Sequence, residues 1–263
     1  MIPRQYITEW SGIAPWKANE QVEQDLIICR SLVELFSDKF IAEKLAFRGG
    51  TALHKLYLEP QSRYSEDIDL VQISAEQIGP SIDKIRKQLS YLGEPRIKQK
   101  DRNTTMIFSF ESEIQPVQVL KLKVETNCRE HYSVFNLKEK LFKLSSSWFT
   151  GECNITTYEI EELLGTKLRA LYQRKKGRDL YDIFKALKTI DSLSREKIIQ
   201  VFKHYMKHEV TGIPSKVSYL KNLEAKMNNP DFLGDTTALL RPDETYDPLE
   251  GFALLKKEII ENL

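Results

Sequence analysis

The chain has 263 residues, of which 41% are hydrophobic and 29% charged, a composition that is typical of globular proteins and excludes a disordered one. Its net charge of +1 is compatible with a nucleic acid, a protein or a small molecule as partner. The longest apolar runs, Leu26 to Cys29 and Phe252 to Leu255, have four residues, whereas a membrane helix needs about 20, so we expect no membrane protein. Because the N-terminus also lacks the apolar core of a signal peptide, we expect a cytoplasmic location.

Helical and strand-like patterns follow one another along the first half of the chain, and helical patterns dominate the second half. We predict, in chain order, a helix or helix pair over 19–46, a turn, short helix, loop and strand over 47–72, a helix over 75–92, strands at 103–110 and 117–125, a hairpin within 140–158, a helical pair around Gly177, and mostly helix from Ser192 onward.

This order of elements indicates an α+β fold, close to α/β, with two lobes. The first lobe is predicted over residues 1–155 and carries the strands together with N-terminal helices. The second lobe is predicted over residues 156–263 and is largely helical.

Two aspartates, Asp67 and Asp69, lie two positions apart within the apolar run DIDLV. Side chains on a strand alternate between its faces, so both carboxylates point the same way while Ile68 and Leu70 point into the core. Two such carboxylates repel each other, and a divalent cation held between them removes that cost. The alternative is a strand whose polar edge faces water.

A pair of glycines, Gly49 and Gly50, lies upstream of these aspartates and is followed by Thr51, which we predict to be the N-cap of the next helix. Backbone amides at the start of a helix bind phosphate groups. A phosphate cradle and a metal-binding pair within one segment favour a nucleoside triphosphate site.

A third carboxylate, Glu125, ends the predicted strand at 117–125 and lies on the face opposite Leu120, Leu122 and Val124. It could complete a metal site with Asp67 and Asp69, or it could be a surface residue that pairs with a neighbouring lysine. The sequence alone leaves both interpretations open.

The segment from Lys167 to Lys188 contains eight Lys or Arg and two Asp, a local balance of +6. Gly177 within it is typical of a helix stop. The charges indicate either a solvated helix face, on which Arg178 pairs with Asp182 at the surface, or a site for phosphate groups.

Three segments, FRGGTALHKLY, RYSEDIDLV and ELLGTKLRALYQRKKGRDLYDIF, together resemble the AbiEii/AbiGii toxin family of the nucleotidyltransferase superfamily. The opening segments EWSGIAPW and QVEQDLIICRSLVELF fit the same family, so the resemblance covers most of the chain. It implies a nucleotidyltransferase-type mixed sheet flanked by helices.

The resemblance also implies roles for individual residues. Lys167 matches a lysine that contacts the nucleotide phosphates, and Asp179 matches an essential aspartate. Arg169, Arg174 and Arg178 would neutralise the triphosphate or an RNA backbone, because arginine makes bidentate contacts with phosphate. Asp182 is assigned as an orienting partner of an arginine.

These observations predict an Mg²⁺-dependent enzyme, able to use Mn²⁺ in its place, that transfers a nucleoside monophosphate from an NTP to an acceptor hydroxyl. The catalytic set is Asp67, Asp69, Glu125, Lys167 and Asp179. The metal ligands are Asp67, Asp69 and Glu125. The nucleotide-binding set is Gly49, Gly50, Thr51, Lys167, Arg169, Arg174 and Arg178.

The resemblance further implies the toxin of a bacterial toxin–antitoxin and abortive-infection system, with tRNA as acceptor and a separately encoded antitoxin protein. One alternative is the same chemistry on a protein or a small molecule. Another is a module that binds a nucleotide or a partner without turnover.

Overall fold

The computed structural model describes residues 2–101 and 103–263, and the chain divides into two units, Met1–Tyr158 and Glu159–Leu263. The helices of the first unit are α1 (Arg4–Trp10), α2 (Asn19–Phe36), α3 (Lys39–Lys44), α4 (Gly49–Leu56) and α5 (Gly79–Gln88), with a 3₁₀ turn at Ser90–Leu92. Its strands are β1 (Leu45–Arg48), β2 (Asp67–Gln72), β3 (Arg96–Lys100), β4 (Asn103–Glu111), β5 (Val119–Asn127), β6 (Lys138–Ser145) and β7 (Thr150–Thr157). The second unit consists of α6 (Ile160–Gln173), α7 (Gly177–Thr189), α8 (Arg195–Lys207), α9 (Lys216–Met227), α10 (Pro230–Gly234), α11 (Pro248–Glu258) and a 3₁₀ turn at Ile260–Asn262.

The strands form one mixed sheet in the order β3-β4-β5-β2-β1-β7-β6. The pairs β2–β5 and β1–β7 are parallel, and the other neighbours are antiparallel. The predicted α+β fold, with a mixed sheet and a largely helical second part, is therefore confirmed. Within the described ranges, no helix combines the length and the apolar character needed to cross a bilayer.

The sequence analysis did not predict the strands β1 and β3. β1 contains only the residues LAFR and follows α3 without a turn residue between them, so its pattern merges with the preceding helix. β3, with the sequence RIKQK, is mostly exposed and therefore carries no apolar periodicity.

Gly177 does not end a helix, as its sequence context predicted, but begins α7. A β-carbon at this position would lie 2.0 Å from the carbonyl oxygen of Phe232, so the contact with α10 requires a glycine. The need for glycine comes from a residue that is distant in the sequence, which local turn chemistry cannot reveal.

A buried ion pair fixes α4, the helix that begins at the two glycines. Lys55 Nζ lies 2.7 Å from Asp25 Oδ1 on α2, and Trp10 Nε1 donates to Asp25 Oδ2 at 3.0 Å. The Asp25 side chain is fully buried and that of Lys55 nearly so. Because breaking a buried pair leaves an uncompensated charge, this contact holds α4 firmly against α2.

Candidate active site

Asp67 and Asp69 lie on β2, next to the parallel strand β5. The register places Asp67 opposite Lys123 and Asp69 opposite Glu125, so all four side chains are on one face of the sheet. On the other face, Ile68 is fully buried and Leu70 almost so, as the alternation predicted. Parallel pairing therefore brings Glu125 to the two aspartates, although 55 residues lie between Asp69 and Glu125 in the sequence.

Gly49 allows the start of α4 to approach the carboxylate of Asp69. Its φ is +85°, a value that side-chain-bearing residues rarely adopt. A β-carbon built at this position would lie 2.1 Å from Asp69 Oδ2 and 2.9 Å from Asp69 Cγ. The glycine is thus required both for the backbone conformation and for the space that the carboxylate occupies.

Thr51 is not the N-cap of α4, contrary to the sequence prediction, because the helix begins two residues earlier at Gly49 and Arg48 is its N-cap. Its side chain is buried, and Thr51 Oγ1 donates to the carbonyl oxygen of Asp67. It also bonds the hydroxyl of Ser65 at 2.8 Å. Thr51 therefore ties the first turn of α4 to the first residue of β2.

Lys123 lies among the carboxylates and is one of the two neighbouring lysines, with Lys121, that the alternative interpretation of Glu125 named as its partner. Its ammonium pairs with Glu125 Oε1 and lies 4.0 Å from Asp67 Oδ2. The side chains of all three residues are 33–40% exposed. The sequence had placed Lys123 on the same face as Glu125, but its proximity to Asp67 depends on strand pairing, for which a single strand carries no signal.

The electrostatics of the site reflect this concentration of negative charge. Burial raises the pKa of Asp67 to about 7, Lys123 opposes the shift, and Asp69, Glu66 and Glu125 add to it. Burial alone would lower the pKa of Lys123, but its hydrogen bond to Glu125 and the charge of Asp67 raise that pKa above its ordinary value. The single positive charge of Lys123 therefore offsets only part of the cost of ionising Asp67.

The carboxylates on this face offer oxygen ligands to a divalent cation. Within residues 2–101 and 103–263, no group of three or more His, Cys, Asp or Glu side chains is arranged to hold a metal ion, and Glu125 is engaged by Lys123. The donor atoms are nevertheless all carboxylate oxygens, the ligands that Mg²⁺ prefers. The raised pKa of Asp67 indicates that added positive charge would stabilise its ionised form. Asp67 and Asp69 on one face supply the one or two carboxylates that Mg²⁺ takes from a protein when substrate phosphates complete its coordination.

An arginine–carboxylate contact borders the site and was not predicted from the sequence. Arg48 lies opposite Asp69 in the β1–β2 register, and its guanidinium pairs with Glu130 in the segment after β5. The side chains of Arg48 and Glu130 are both largely buried, at 14% and 12% exposure. The available signal was the RGG sequence at the start of α4, since the residue before the glycines must lie beside them.

The second unit contains a separate cluster of buried charges on α6 and α7. Lys167 Nζ lies 3.1 Å from Asp179 Oδ1 and 2.8 Å from Asp182 Oδ2. Arg174 forms a bidentate pair with Asp179, with distances of 2.7 and 2.9 Å. Burial alone would raise the pKa of Asp179, but Lys167 and Arg174 lower it below its ordinary value.

This arrangement corrects two interpretations of the basic segment. Lys167 is not part of a solvated helix face, because its side chain is only 8% exposed and engages two fully buried aspartates. Arg178 does not pair with Asp182 at the surface, because the Asp182 side chain is fully buried, and Arg178 Nε lies 3.9 Å from Asp235 Oδ2.

The remaining arginine of the predicted set, Arg169, also has partners within the second unit. Its Nη1 lies 3.2 Å from Glu209 Oε1, and its guanidinium lies over the ring of Tyr205, 5.0 Å from the centroid. Of the three predicted phosphate-binding arginines, Arg174 has an exposure of 51% and Arg178 one of 28%, whereas that of Arg169 is 12%.

Comparison with known proteins connects this chain to toxins. The family model described as nucleotidyl transferase AbiEii toxin, type IV toxin–antitoxin system, matches residues 30–255. MenT4, a nucleotidyltransferase toxin from Mycobacterium tuberculosis H37Rv, is similar in structure, with a TM-score of 0.71 and 17% identity over 100% of this chain and 91% of MenT4. JHP933 from Helicobacter pylori has a TM-score of 0.57 and 16% identity over 92% of this chain and 91% of its own. No curated protein sequence matches the chain.

Proposed function

Since the chain belongs to the AbiEii nucleotidyltransferase toxin family of type IV toxin–antitoxin systems, we propose that it transfers a nucleoside monophosphate from an NTP to a hydroxyl group of tRNA. The observation that carries this proposal is the β2–β5 register, which aligns Asp69 with Glu125 beside a helix start held open by Gly49. The proposed reaction takes place in the cytoplasm and depends on Mg²⁺, with Mn²⁺ as a substitute.

In the proposed mechanism, Asp67 and Asp69 hold the divalent cation, and Glu125 either completes this ligand set or accepts the proton of the acceptor hydroxyl. When bound, the cation supplies charge neutralisation on the phosphates. Gly49 and Gly50 lie at the start of α4, where backbone amides would bind a phosphate oxygen. The hydroxyl of Thr51 is directed to Asp67 and Ser65, so its contribution to nucleotide binding is to position β2.

The rate enhancement in this proposal comes from positioning and from electrostatic stabilisation, as in phosphoryl transfer generally. The carboxylates are placed by strand pairing and by the ion pair between Lys55 and Asp25 that fixes α4. Side chains on paired strands lose little freedom when a substrate binds, which favours an in-line reaction geometry.

For the second unit we propose that Lys167 contacts the nucleotide phosphates and that Asp179 is essential because it orients Lys167 and Arg174. The support is the family match together with the distances from Asp179 to both cations. Arg174 and Arg178, which are the more exposed arginines, would neutralise the triphosphate or the RNA backbone, and Arg169 contributes to the same charge. Asp182, assigned from the sequence as an orienting partner of an arginine, lies 2.8 Å from Lys167 Nζ and would orient this lysine as well.

The family implies an antitoxin as partner and an NTP as substrate. We propose that the antitoxin is encoded separately and that the pair acts in abortive infection. The neighbouring open reading frame is the direct observation that tests this part of the proposal.

The reaction is tested by incubating the protein with each labelled NTP, Mg²⁺ and total tRNA, with Asp69→Ala as the inactive variant. Labelled tRNA with the native chain and none with Asp69→Ala supports the proposal. Labelled RNA that persists with Asp69→Ala contradicts the metal assignment. A labelled protein or small molecule in place of tRNA contradicts the acceptor, and tight NTP binding without any product favours a binding module.

A further inference from the structure

Lys123 lies against two of the three proposed metal-binding carboxylates, and its position conflicts with a bound cation. Its ammonium contacts Glu125 and lies 4.0 Å from Asp67 Oδ2. A divalent cation held by the same carboxylates would repel this ammonium and compete with it for Glu125. Lys123 and the metal therefore cannot both use Glu125 in the same way.

Strand pairing limits how the site can resolve this conflict. The backbones of β2 and β5 are fixed by their parallel register, with Asp67 opposite Lys123 and Asp69 opposite Glu125. A lysine has a flexible four-carbon stem and a compact ammonium, so its head group can move while its Cα stays in place. The side chain of Lys123 is 40% exposed, which leaves solvent-accessible space for such a movement.

The chemistry of the proposed substrate supplies a destination for the ammonium. Mg²⁺ in protein sites is held by one or two carboxylates and by substrate phosphates, so the phosphates of an NTP lie next to the metal ligands. A lysine released from Glu125 would be within reach of these phosphates and would keep a charged partner.

We propose that Lys123 is an exchangeable counter-ion: it holds Glu125 when no divalent cation is bound, and it moves to a phosphate oxygen when the cation and the NTP bind together. This inference rests on the proposed function. Its consequence is that the cation alone binds weakly, because it must displace Lys123, whereas the cation and the NTP together bind well.

The test measures binding rather than activity, with Lys123→Met compared with Lys121→Met. Lys121 lies two residues earlier on the same face and is exposed, so its replacement is a matched loss of charge. We expect Lys123→Met to bind Mn²⁺ alone about five- to tenfold more tightly than the native chain, since a competing ion pair is removed. With a non-hydrolysable NTP analogue at saturating Mn²⁺, we expect its affinity for the analogue to fall about tenfold, since a charged contact is lost. Lys121→Met should change neither value appreciably.

A double variant identifies Glu125 as the point of competition. In a Glu125→Gln background, Lys123→Met should no longer improve Mn²⁺ binding, because the carboxylate for which the two cations compete is absent. A gain that persists in this background overturns the assignment to Glu125.

The outcomes separate this inference from the proposed function. If the native chain binds Mn²⁺ and Asp67→Asn abolishes that binding, but Lys123→Met binds Mn²⁺ no more tightly, the counter-ion role is wrong and the metal site stands. If Lys123→Met binds the NTP analogue as well as the native chain does, the transfer of Lys123 to phosphate is wrong. If neither the native chain nor Lys123→Met binds Mn²⁺, the metal assignment and this inference both fail. Circular dichroism of each variant confirms that it is folded.

Discussion

Asp69 Oδ2 lies 2.1 Å from the place that a β-carbon on residue 49 would take, so the carboxylate and any side chain at Gly49 exclude each other. This relationship joins the first residue of α4 to the middle of β2. It also explains why a glycine, with a φ of +85°, begins this helix.

Replacing Gly49 by alanine should therefore harm both stability and activity. Gly93→Ala is the matched control, because Gly93 has a φ of +86° and nothing lies within 4 Å of a β-carbon there. We expect Gly93→Ala to lower the free energy of unfolding by about 1 kcal/mol, the cost of the positive φ, and Gly49→Ala to lower it by a further 1–3 kcal/mol, roughly, from overpacking. Urea denaturation measures both values.

The activity of the two glycine variants should differ as well. Displacement of Asp69 in Gly49→Ala should reduce nucleotidyl transfer by about 100-fold or more, and Gly93→Ala should stay near the native rate. Equal stabilities and equal rates in the two variants would show that the close approach of Asp69 to Gly49 matters for neither stability nor activity.

Asp67→Asn should separate activity from stability. Burial and the charges of Asp69, Glu66 and Glu125 disfavour the ionised form of Asp67 more than Lys123 favours it, so removal of its charge relieves desolvation and repulsion in the folded state. We expect transfer to fall by about 100-fold or more, and the free energy of unfolding to rise by about 0.5–1 kcal/mol. Glu66→Gln, which removes an exposed neighbouring charge, is the control and should keep its activity. A destabilised Asp67→Asn would contradict the repulsion argument.

Stability should fall as the pH rises through the range in which Glu23 ionises. Glu23 on α2 is fully buried, and its carboxylate accepts the backbone N–H of Glu113 at 3.1–3.2 Å. Burial raises the pKa of Glu23 from 4.5 to about 7. An acid whose pKa is higher in the folded state binds its proton more tightly there, so it destabilises the fold once the pH exceeds the unfolded value, until the loss is complete above about pH 7.

Glu23→Gln keeps an acceptor for Glu113 and removes the charge. We expect the free energy of unfolding of this variant, minus that of the native chain, to increase by about 1–3 kcal/mol from pH 4.5 to pH 8. Urea denaturation at both pH values gives this difference, and Glu20→Gln, one turn earlier on α2, should not reproduce it. If the difference in the free energy of unfolding between the native chain and Glu23→Gln does not depend on pH, Glu23 is not the group responsible for the loss of stability.

Lys167→Met should destabilise the second unit, whatever its effect on nucleotide binding. The substitution leaves Asp182 buried without the ammonium at 2.8 Å, whereas Asp179 keeps its bidentate contact with Arg174. Breaking a buried pair on one side costs about 3–5 kcal/mol. The double variant Lys167→Met, Asp182→Asn should regain much of this loss, as thermal unfolding would show.

The double variant decides what Lys167 does. If Lys167 contacts phosphate, the double variant regains stability but stays inactive and binds NTP more weakly than the native chain. Recovery of activity together with stability would show that the lysine serves only to compensate buried carboxylates, and the phosphate assignment would be withdrawn.

The sequence predicted those parts of the fold that depend on periodicity within one element. Alternation in DIDLV and in LKLKVE correctly assigned the faces of Asp67, Asp69 and Glu125. It could not reveal that β2 and β5 pair in parallel, and hence that Lys123 lies beside Asp67, because pairing is set by the packing of the whole sheet.

The errors in the sequence analysis have the same physical origin. Thr51 looked like an N-cap, but its hydroxyl is used by Asp67 and Ser65, and Gly177 looked like a helix stop, but it makes room for the carbonyl oxygen of Phe232. In each case a long-range contact overrides a local preference, and such contacts leave no periodic signal in a single sequence. The roles of the site residues stay predictions.

The strand order places β2 at the centre of the seven described strands, with three on either side. Sheets open first at their margins, so β3 and β6 should lose their amide protons to solvent long before β2 does. The proposed acid pair consequently occupies the slowest-exchanging position in the sheet, and fraying of an outer strand should leave it undisturbed.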